Sequence, residues 1–498
     1  MFAAFPPPVF TRRAYYGGMI LLLLLMAMPL FAHLGGLVIR QWDEARLSVN
    51  AWEMMKSGNI LVTTYNGEPD LWNTKPPLLI WLQALFLAGG LQPELALRIP
   101  SVVAAVLTIL MLYVFAARFT QNLWLAFAAA LVLLTAPALT ANHAARAGDY
   151  DATMVFFTTL SALTFWVFLE KGNKKWFLIC CLALALGVLT KSVQALLFLP
   201  GLAIYALYRR KLLALLWSRT FLMGFVIFLV PVAGFYLSRE WAAPGYLNAV
   251  VENELLGRYL TVIEFHDQPR WFYYHNLVNE RFKPYLLLML PGFVAGIWSQ
   301  QQGIRNLTVF ATLLTITYFA VITAGKTKLF WYDLPMLPFM ALLAALGILA
   351  IIQLVTEVLS RFVKPSWLIL ALPVLILTLF CYKPYEKAIK RAYKPKDAYW
   401  ERDTYIMSHY LRNALRGKHD LQDTYVLYEG YNTMMMVYLH QLRDQGVNTE
   451  YRYFKTLKPG DRVVTYQPQI KEYLLEHFDA EVVSEYKETT TYQLIEKQ

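Results

Sequence analysis

Long apolar runs recur along most of the chain and confine it to one class of fold. Residues 17–39 form an uninterrupted apolar stretch, and comparable runs follow at 98–117, 123–140, 152–169, 176–189, 193–208, 221–237, 285–298, 307–323, 334–355 and 367–382. About eleven such runs, most of the length that crosses a bilayer as a helix, predict a polytopic membrane protein. The runs are continuous rather than alternating, which selects helices over a barrel, the other structure that satisfies its backbone in lipid. Composition agrees, because only 16% of residues are charged and 57% are hydrophobic, whereas soluble domains carry about a quarter charged residues. The first run lacks a small-residue cleavage site before Trp42 and is expected to remain as an anchor. Cys180, Cys181 and Cys381 fall in or at the ends of spans, in no disulfide or metal spacing.

The run 76–90 is shorter and opens on Pro76-Pro77, as interfacial or re-entrant segments do. Loop charge tests whether it spans. With 76–90 lying on the surface, Arg12-Arg13, Arg118, Lys171, Lys174-Lys175, Arg209-Arg210-Lys211 and Arg305 share one side with the 361–364 loop. That set is short and poor in acids, hence cytoplasmic. Asp43-Glu44, Asp149/Asp151, the 240–283 loop, 326–333 and the C-terminal tail then face the extracytoplasmic side. Counting 76–90 as a span would scatter the bias. The composition turns polar near Lys383, dividing the chain into a transmembrane domain, 1–382, and an outer domain, 383–498. Within the tail, 462–466, 469–477, 481–486 and 489–495 read as β-α-β-β, so a small α/β domain outside the membrane is expected.

Ionisable groups at span mouths are functional-site candidates. Asp43 and Glu44 follow the first run and precede a helical stretch, with Arg46 about one turn away. They either begin an interfacial helix, where carboxylates suit the dipole, or pair a base with a phosphate-holding arginine. Lys75, at the lip of the 76–90 run, either snorkels to headgroups or binds an anion. Arg46, Arg146, Lys326 and Lys328 are further cations on the same outer side, and together the five point to a phosphate site. Asp149 and Asp151 either cap the next helix or use the D-x-D pattern to hold a divalent cation or position a hydroxyl. The 264–275 loop carries His266, Trp271 and Tyr273 among acids and aromatics, suiting a sugar pocket or an interfacial anchor. The irregular stretch 325–338, with Tyr332 and two prolines, re-enters the membrane, as cavity-lining backbone does.

In this order the motifs resemble those of the polyprenyl-phosphate-sugar glycosyltransferases related to lipid A aminoarabinose transferase and the protein O-mannosyltransferases. The matching elements are Asp43-Glu44-x-Arg46, Lys75-Pro76-Pro77-Leu78, Arg146 through Asp151, His266 through Pro269-x-Trp271-Phe272-Tyr273, and Lys328-Leu329-x-x-Tyr332-x-Leu334-Pro335. The likeness covers roughly residues 15 to 350 and implies the C-type membrane glycosyltransferase fold. It further implies that Asp43 is the catalytic carboxylate and that Asp151 is the second-loop acid. Arg46, Lys75 and Tyr332, joined by Lys328 and Arg146, would hold the lipid-linked phosphate, with Glu44, Asp149, His266, Trp271 and Tyr273 lining the substrate pocket. Thr74 stands where aminoarabinose transferases commonly carry a glutamate that, with the histidine, holds a metal. No cofactor is therefore required, and Asp149, Asp151 and His266 are the ligands if a divalent cation is used.

The expected reaction is inverting transfer of a sugar from a polyprenyl-phosphate donor to a lipid, glycan or protein acceptor at the outer face of the inner membrane. The expected partners are that donor, the acceptor and membrane lipids, with no nucleic acid, while oligomeric state is open. The competing reading is a transporter or flippase. Transporters place binding groups near the midplane and carry internal repeats, whereas here the charges gather at one face and no repeat is evident.

Overall fold

The computed structural model describes residues 11–257, 267–362 and 368–497. Among them, seven helical segments are long and apolar enough to cross a membrane: Arg12–Phe31, Pro93–Thr120, Tyr150–Lys171, Lys174–Leu196, Arg219–Ala242, Gln302–Ala324 and Phe330–Leu359. Each coincides with an expected run. Leu123–Thr135, Leu199–Tyr208 and Leu286–Ile297 are apolar but shorter, and Leu368–Ala392 is a helix whose last turn is basic. The count of eleven full spans is not confirmed among the described residues, and two of the shorter runs are interrupted by 3-10 turns. Thr135 is followed by such a turn at Pro137–Thr140, and another at Ser192–Leu196 precedes Leu199–Tyr208. The helix at the start of the 76–90 run covers Leu78–Ala88, 11 residues, or about 16 Å, well short of the hydrocarbon core.

Two compact units make up the chain. The first comprises Met1–His33, Asp70–Leu79 and Arg98–Lys394. Its helices begin on side chains suited to the task. Asn122, Asn173 and Ser218 accept hydrogen bonds from Leu125, Lys175 and Phe221 N–H groups, satisfying donors the helices leave open. Tyr150–Lys171 ends at Gly172, whose φ of +73° admits the left-handed cap. Helix Met289–Ile297 lies so close to Leu337–Leu359 that a Cβ at Gly292 would sit 1.8 Å from the Leu343 carbonyl oxygen. Small residues permit this approach in lipid, where van der Waals packing drives helix association.

The second unit comprises Leu34–Pro69, Ile80–Leu97 and Pro395–Gln498. The sequence places the domain boundary at 382/383. The compact units instead part at Lys394/Pro395, and the second also takes in two N-terminal segments. Hydrogen bonds explain the association. The Ile39 N–H donates to the Tyr438 hydroxyl, which donates to Glu94, and Arg40 pairs with Asp397 at 2.5 Å. Strands β1 Thr64–Tyr65 and β2 Glu68–Pro69 form a two-stranded ribbon, and β3 Thr424–Leu427, β4 Thr449–Arg452, β5 Arg462–Thr465, β6 Asp479–Tyr486 and β7 Thr489–Ile495 form a five-stranded sheet in the order β4-β3-β5-β7-β6. β3 pairs in parallel with β4 and β5, and β7 runs antiparallel to β5 and β6. Leu427, Val463, Ile470, Leu474 and Leu494 form its core. The expected β-α-β-β is present as β5, Pro468–His477, β6 and β7. Helices Arg402–Ala414 and Thr433–Asp444 and strands β3 and β4 complete the layer.

Candidate active site

In the first unit a polar cluster gathers around the segment before Leu78–Ala88. Asp70 accepts the Trp72 and Asn73 N–H groups and so folds this segment into a turn. The Asn73 amide is within hydrogen-bonding distance of the Tyr150 hydroxyl at 2.9 Å, and the Tyr246 hydroxyl donates to the Thr74 carbonyl at 2.7 Å. Burial pushes the Tyr246 phenol upward, so it remains a donor. Lys75 is thereby set 5.5 Å from the Tyr150 ring centroid and 3.8 Å from Glu254, with only 10% of its side chain exposed. A lysine so enclosed does not fit the snorkelling account.

The second-loop acids form the next group. Asp149 caps Tyr150–Lys171, its Oδ1 accepting the Tyr150 N–H. Its Oδ2 is paired with His143, whose ring stacks on Trp331 at 3.5 Å. Burial opposes charge on Asp149, but the His143 imidazole, Lys191 and the Tyr150 N–H outweigh it and hold the carboxyl below its ordinary range. Asp151 is fully buried and bound to Lys191 Nζ at 2.5 Å. Lys191 ends helix Lys174–Lys191 and lies 5.8 Å from the Tyr332 ring centroid. The turn that carries Tyr332, Phe330–Met336, is fastened by Asp333, which accepts from Arg281 Nε and Nη2. An isolated bridge pairs Asp267 with Thr327.

In the second unit Asp43 opens helix Asp43–Ser57 and is half-buried. Arg46, on the same helix, lays its guanidinium 3.6 Å over the Tyr65 ring centroid.

Several expected roles change. Asp151 has no exposure and an ammonium at 2.5 Å, so it is a counter-ion rather than a base open to an acceptor. The same contact argues against Asp151 as a ligand of a divalent cation, since Lys191 already supplies the positive charge there. Arg146 donates to the Pro29, Leu30 and Ala32 carbonyls. It thus completes a helix C-terminus rather than holding phosphate, and burial with Arg98 nearby lowers it to about 10. Glu44 is buried and accepts the Arg40 N–H at 2.8 Å, which ties the chain before the helix to its first turn. Tyr273 is fully buried and belongs to the packing, while Trp271 is 61% exposed. Lys328 is buried. His266 lies outside the described residues.

Lys191, His143, Trp331 and Glu254 were missed by the sequence reading. Lys191 was within reach of the argument used for Lys75, being a cation between two apolar runs on the outer side. Nothing in the sequence singles out Glu254.

Residues 74–236 match the family model for dolichyl-phosphate-mannose-protein mannosyltransferase. A protein of Aquifex aeolicus is 27% identical over 378 residues, 72% of each chain. The undecaprenyl phosphate-alpha-4-amino-4-deoxy-L-arabinose arabinosyl transferase of Pseudomonas savastanoi pv. phaseolicola is 28% identical over 61% of this chain, and the match spans 56% of that relative. Among solved structures, ArnT from Cupriavidus metallidurans bound to undecaprenyl phosphate superposes with a TM-score of 0.71 at 16% identity, over 97% of this chain and 98% of that one. The archaeal oligosaccharyltransferase AglB from Archaeoglobus fulgidus gives 0.53 at 11% identity, over 98% and 75%. These likenesses set the transporter reading aside. The chain thus has the fold of ArnT and AglB and carries, over residues 74–236, a segment similar to the dolichyl-phosphate-mannose-protein mannosyltransferases.

Proposed function

We propose that the protein moves a sugar from a polyprenyl-phosphate donor to an acceptor hydroxyl at the extracytoplasmic face, with inversion. The observation that carries this is Lys75, a nearly buried cation at the start of an apolar helix, walled by Tyr150 and Glu254. Such a group suits a phosphodiester whose prenyl chain stays in lipid. The acceptor oxygen attacks the anomeric carbon, the bond from that carbon to the phosphate oxygen breaks, and the phosphate leaves with the electron pair. Lys75 stabilises the charge that grows there. Asp43 takes the acceptor proton. Tyr332, beside Lys191, completes the donor end. The C-terminal domain lies on the same outer side as the reaction. A lipid or glycan acceptor is favoured by the arabinosyl transferase relatives; protein remains the second choice through the mannosyltransferase match.

The test is transfer of radiolabelled sugar from a polyprenyl-phosphate donor by purified protein. Lys75→Met removes a charge-assisted contact of ~1.5–3 kcal/mol and should weaken donor use about ten- to a hundredfold. Asp43→Asn should abolish turnover while donor binding survives, because its task arises only as the acceptor loses its proton. Normal turnover by Asp43→Asn would end the assignment.

A further inference from the structure

Lys75 is not alone in its enclosure. Glu254, in the π-helical turn Val251–Gly257, is 8% exposed and directs Oε1 toward both neighbours. The Thr74 hydroxyl donates to that oxygen at 3.1 Å, and Lys75 Nζ lies 3.8 Å from it. The Thr74 bond fixes the carboxylate, while the separation from Lys75 exceeds hydrogen-bond length and leaves the ammonium able to turn to another anion. The surroundings hold this arrangement in place. Tyr246 is bonded to the Thr74 carbonyl, Tyr236 stacks on Tyr246 at 6.0 Å and donates to Ser192, and Arg239 lies 4.9 Å over the Tyr246 ring centroid. π-helical turns inside helical segments are frequent at functional sites.

We propose that Glu254 is a charge filter of the donor-phosphate site, admitting the phosphodiester donor and expelling the phosphomonoester product. The inference rests on the reading of Lys75 given above. In the transfer, the donor's phosphate goes from a diester with one negative charge to a monoester whose second ionisation falls near pH 6. The product therefore carries about one extra negative charge at neutral pH. Lys75 attracts both species, but a carboxylate held in place by Thr74 repels the product more strongly. Across about 5 Å, at an effective permittivity of about 20–40, that extra repulsion corresponds to roughly ten- to a few-hundredfold in affinity. Glu254 thus acts on release of polyprenyl phosphate, as a positioning residue that touches no reacting bond.

The experiment compares donor KM with the affinity for polyprenyl phosphate, measured by competition binding in detergent at pH 8 and pH 5.5. Among the described residues of this unit, the charged and titratable groups facing the site are Lys75, Tyr150, Tyr236, Tyr246 and Glu254, with Arg239 behind Tyr246. In the wild type, product binding should tighten at pH 5.5, where the monoester loses its second charge. In Glu254→Gln, product affinity at pH 8 should rise about ten- to a few-hundredfold relative to donor, and its pH dependence should flatten. Glu254→Asp, keeping the charge, should retain the wild-type ratio. A folded Glu254→Gln with an unchanged product-to-donor ratio, or with weaker product binding, overturns the proposal. If Glu254→Gln does not fold, Thr74→Ala, which frees the carboxylate, should still shift the ratio toward product, and no shift refutes it. A purely structural role would weaken both ligands together. Lys75→Met without effect on donor use would instead refute the underlying reading.

Discussion

Lys191 and Asp151 offer a direct test of whether the buried acid is a base or a counter-ion. Their side chains are 6% and 0% exposed, Nζ lies 2.5 Å from Oδ2, and Asp151 Oδ1 has no hydrogen-bond partner among the described residues. Removing one partner leaves a charge stranded in a low-dielectric interior, at a cost of about 3–5 kcal/mol, while replacing both with apolar groups of similar volume is often neutral or stabilising. Lys191→Met and Asp151→Leu should each lower the unfolding temperature sharply in detergent. The double variant should recover most of the loss, giving a coupling of several kcal/mol, roughly the single-variant cost. Tryptophan fluorescence during thermal unfolding reads the order of stabilities, and sugar transfer is measured on the same samples. A double variant as unstable as the sum of the singles would refute the counter-ion argument. Full stability of Asp151→Leu coupled with total loss of turnover would restore Asp151 as the acceptor's base.

Other outcomes follow from the same geometry. Arg146→Met should lower thermal stability without changing donor KM, because Arg146 is engaged by three backbone carbonyls; a rise in donor KM of about tenfold or more would return it to the phosphate site. Gly292→Ala should destabilise by more than ~1 kcal/mol, since its Cβ would sit 1.8 Å from the Leu343 oxygen, and unchanged melting would show that the helices part freely. Burial, aided by Arg443 and Lys418 respectively, lowers His440 and His419 below their ordinary value. The unfolded chain therefore binds more protons near pH 6, and this contribution to the stability of the second unit, complete above about pH 7, is lost as pH falls below 6.5 and through the lower folded values. Melting followed from pH 8 to 5 should show the decline, reduced in His440→Phe. Transfer should persist in EDTA, and complete loss restored by one divalent ion would place a catalytic metal in the site.

The sequence made the architecture legible wherever the physics is local. A helix in lipid must bury its own backbone polar groups, so composition alone marks it, and the seven long spans coincide with expected runs. Span ends are less legible, because the 3-10 turns after Thr135 and Lys191 depend on neighbouring segments. In the tail, β5 through β7 announce themselves by alternation and β-branched residues. β3 and β4 are four-residue strands in parallel pairs, and their pairing across 25 residues leaves little local trace. The site divides in the same way. Lys75 declares itself as a cation at an apolar lip, and Asp149 as a helix cap. That a buried charge in a membrane needs a partner also follows from the sequence. Which partner it takes does not. Asp151 meets Lys191 from 40 residues away and Lys75 meets Glu254 across 179, each brought in by the packing of separate segments. The partner decides the role: a carboxylate held by an ammonium is a counter-ion, whereas one held by a hydroxyl beside a looser ammonium remains a charge that an incoming phosphate must face.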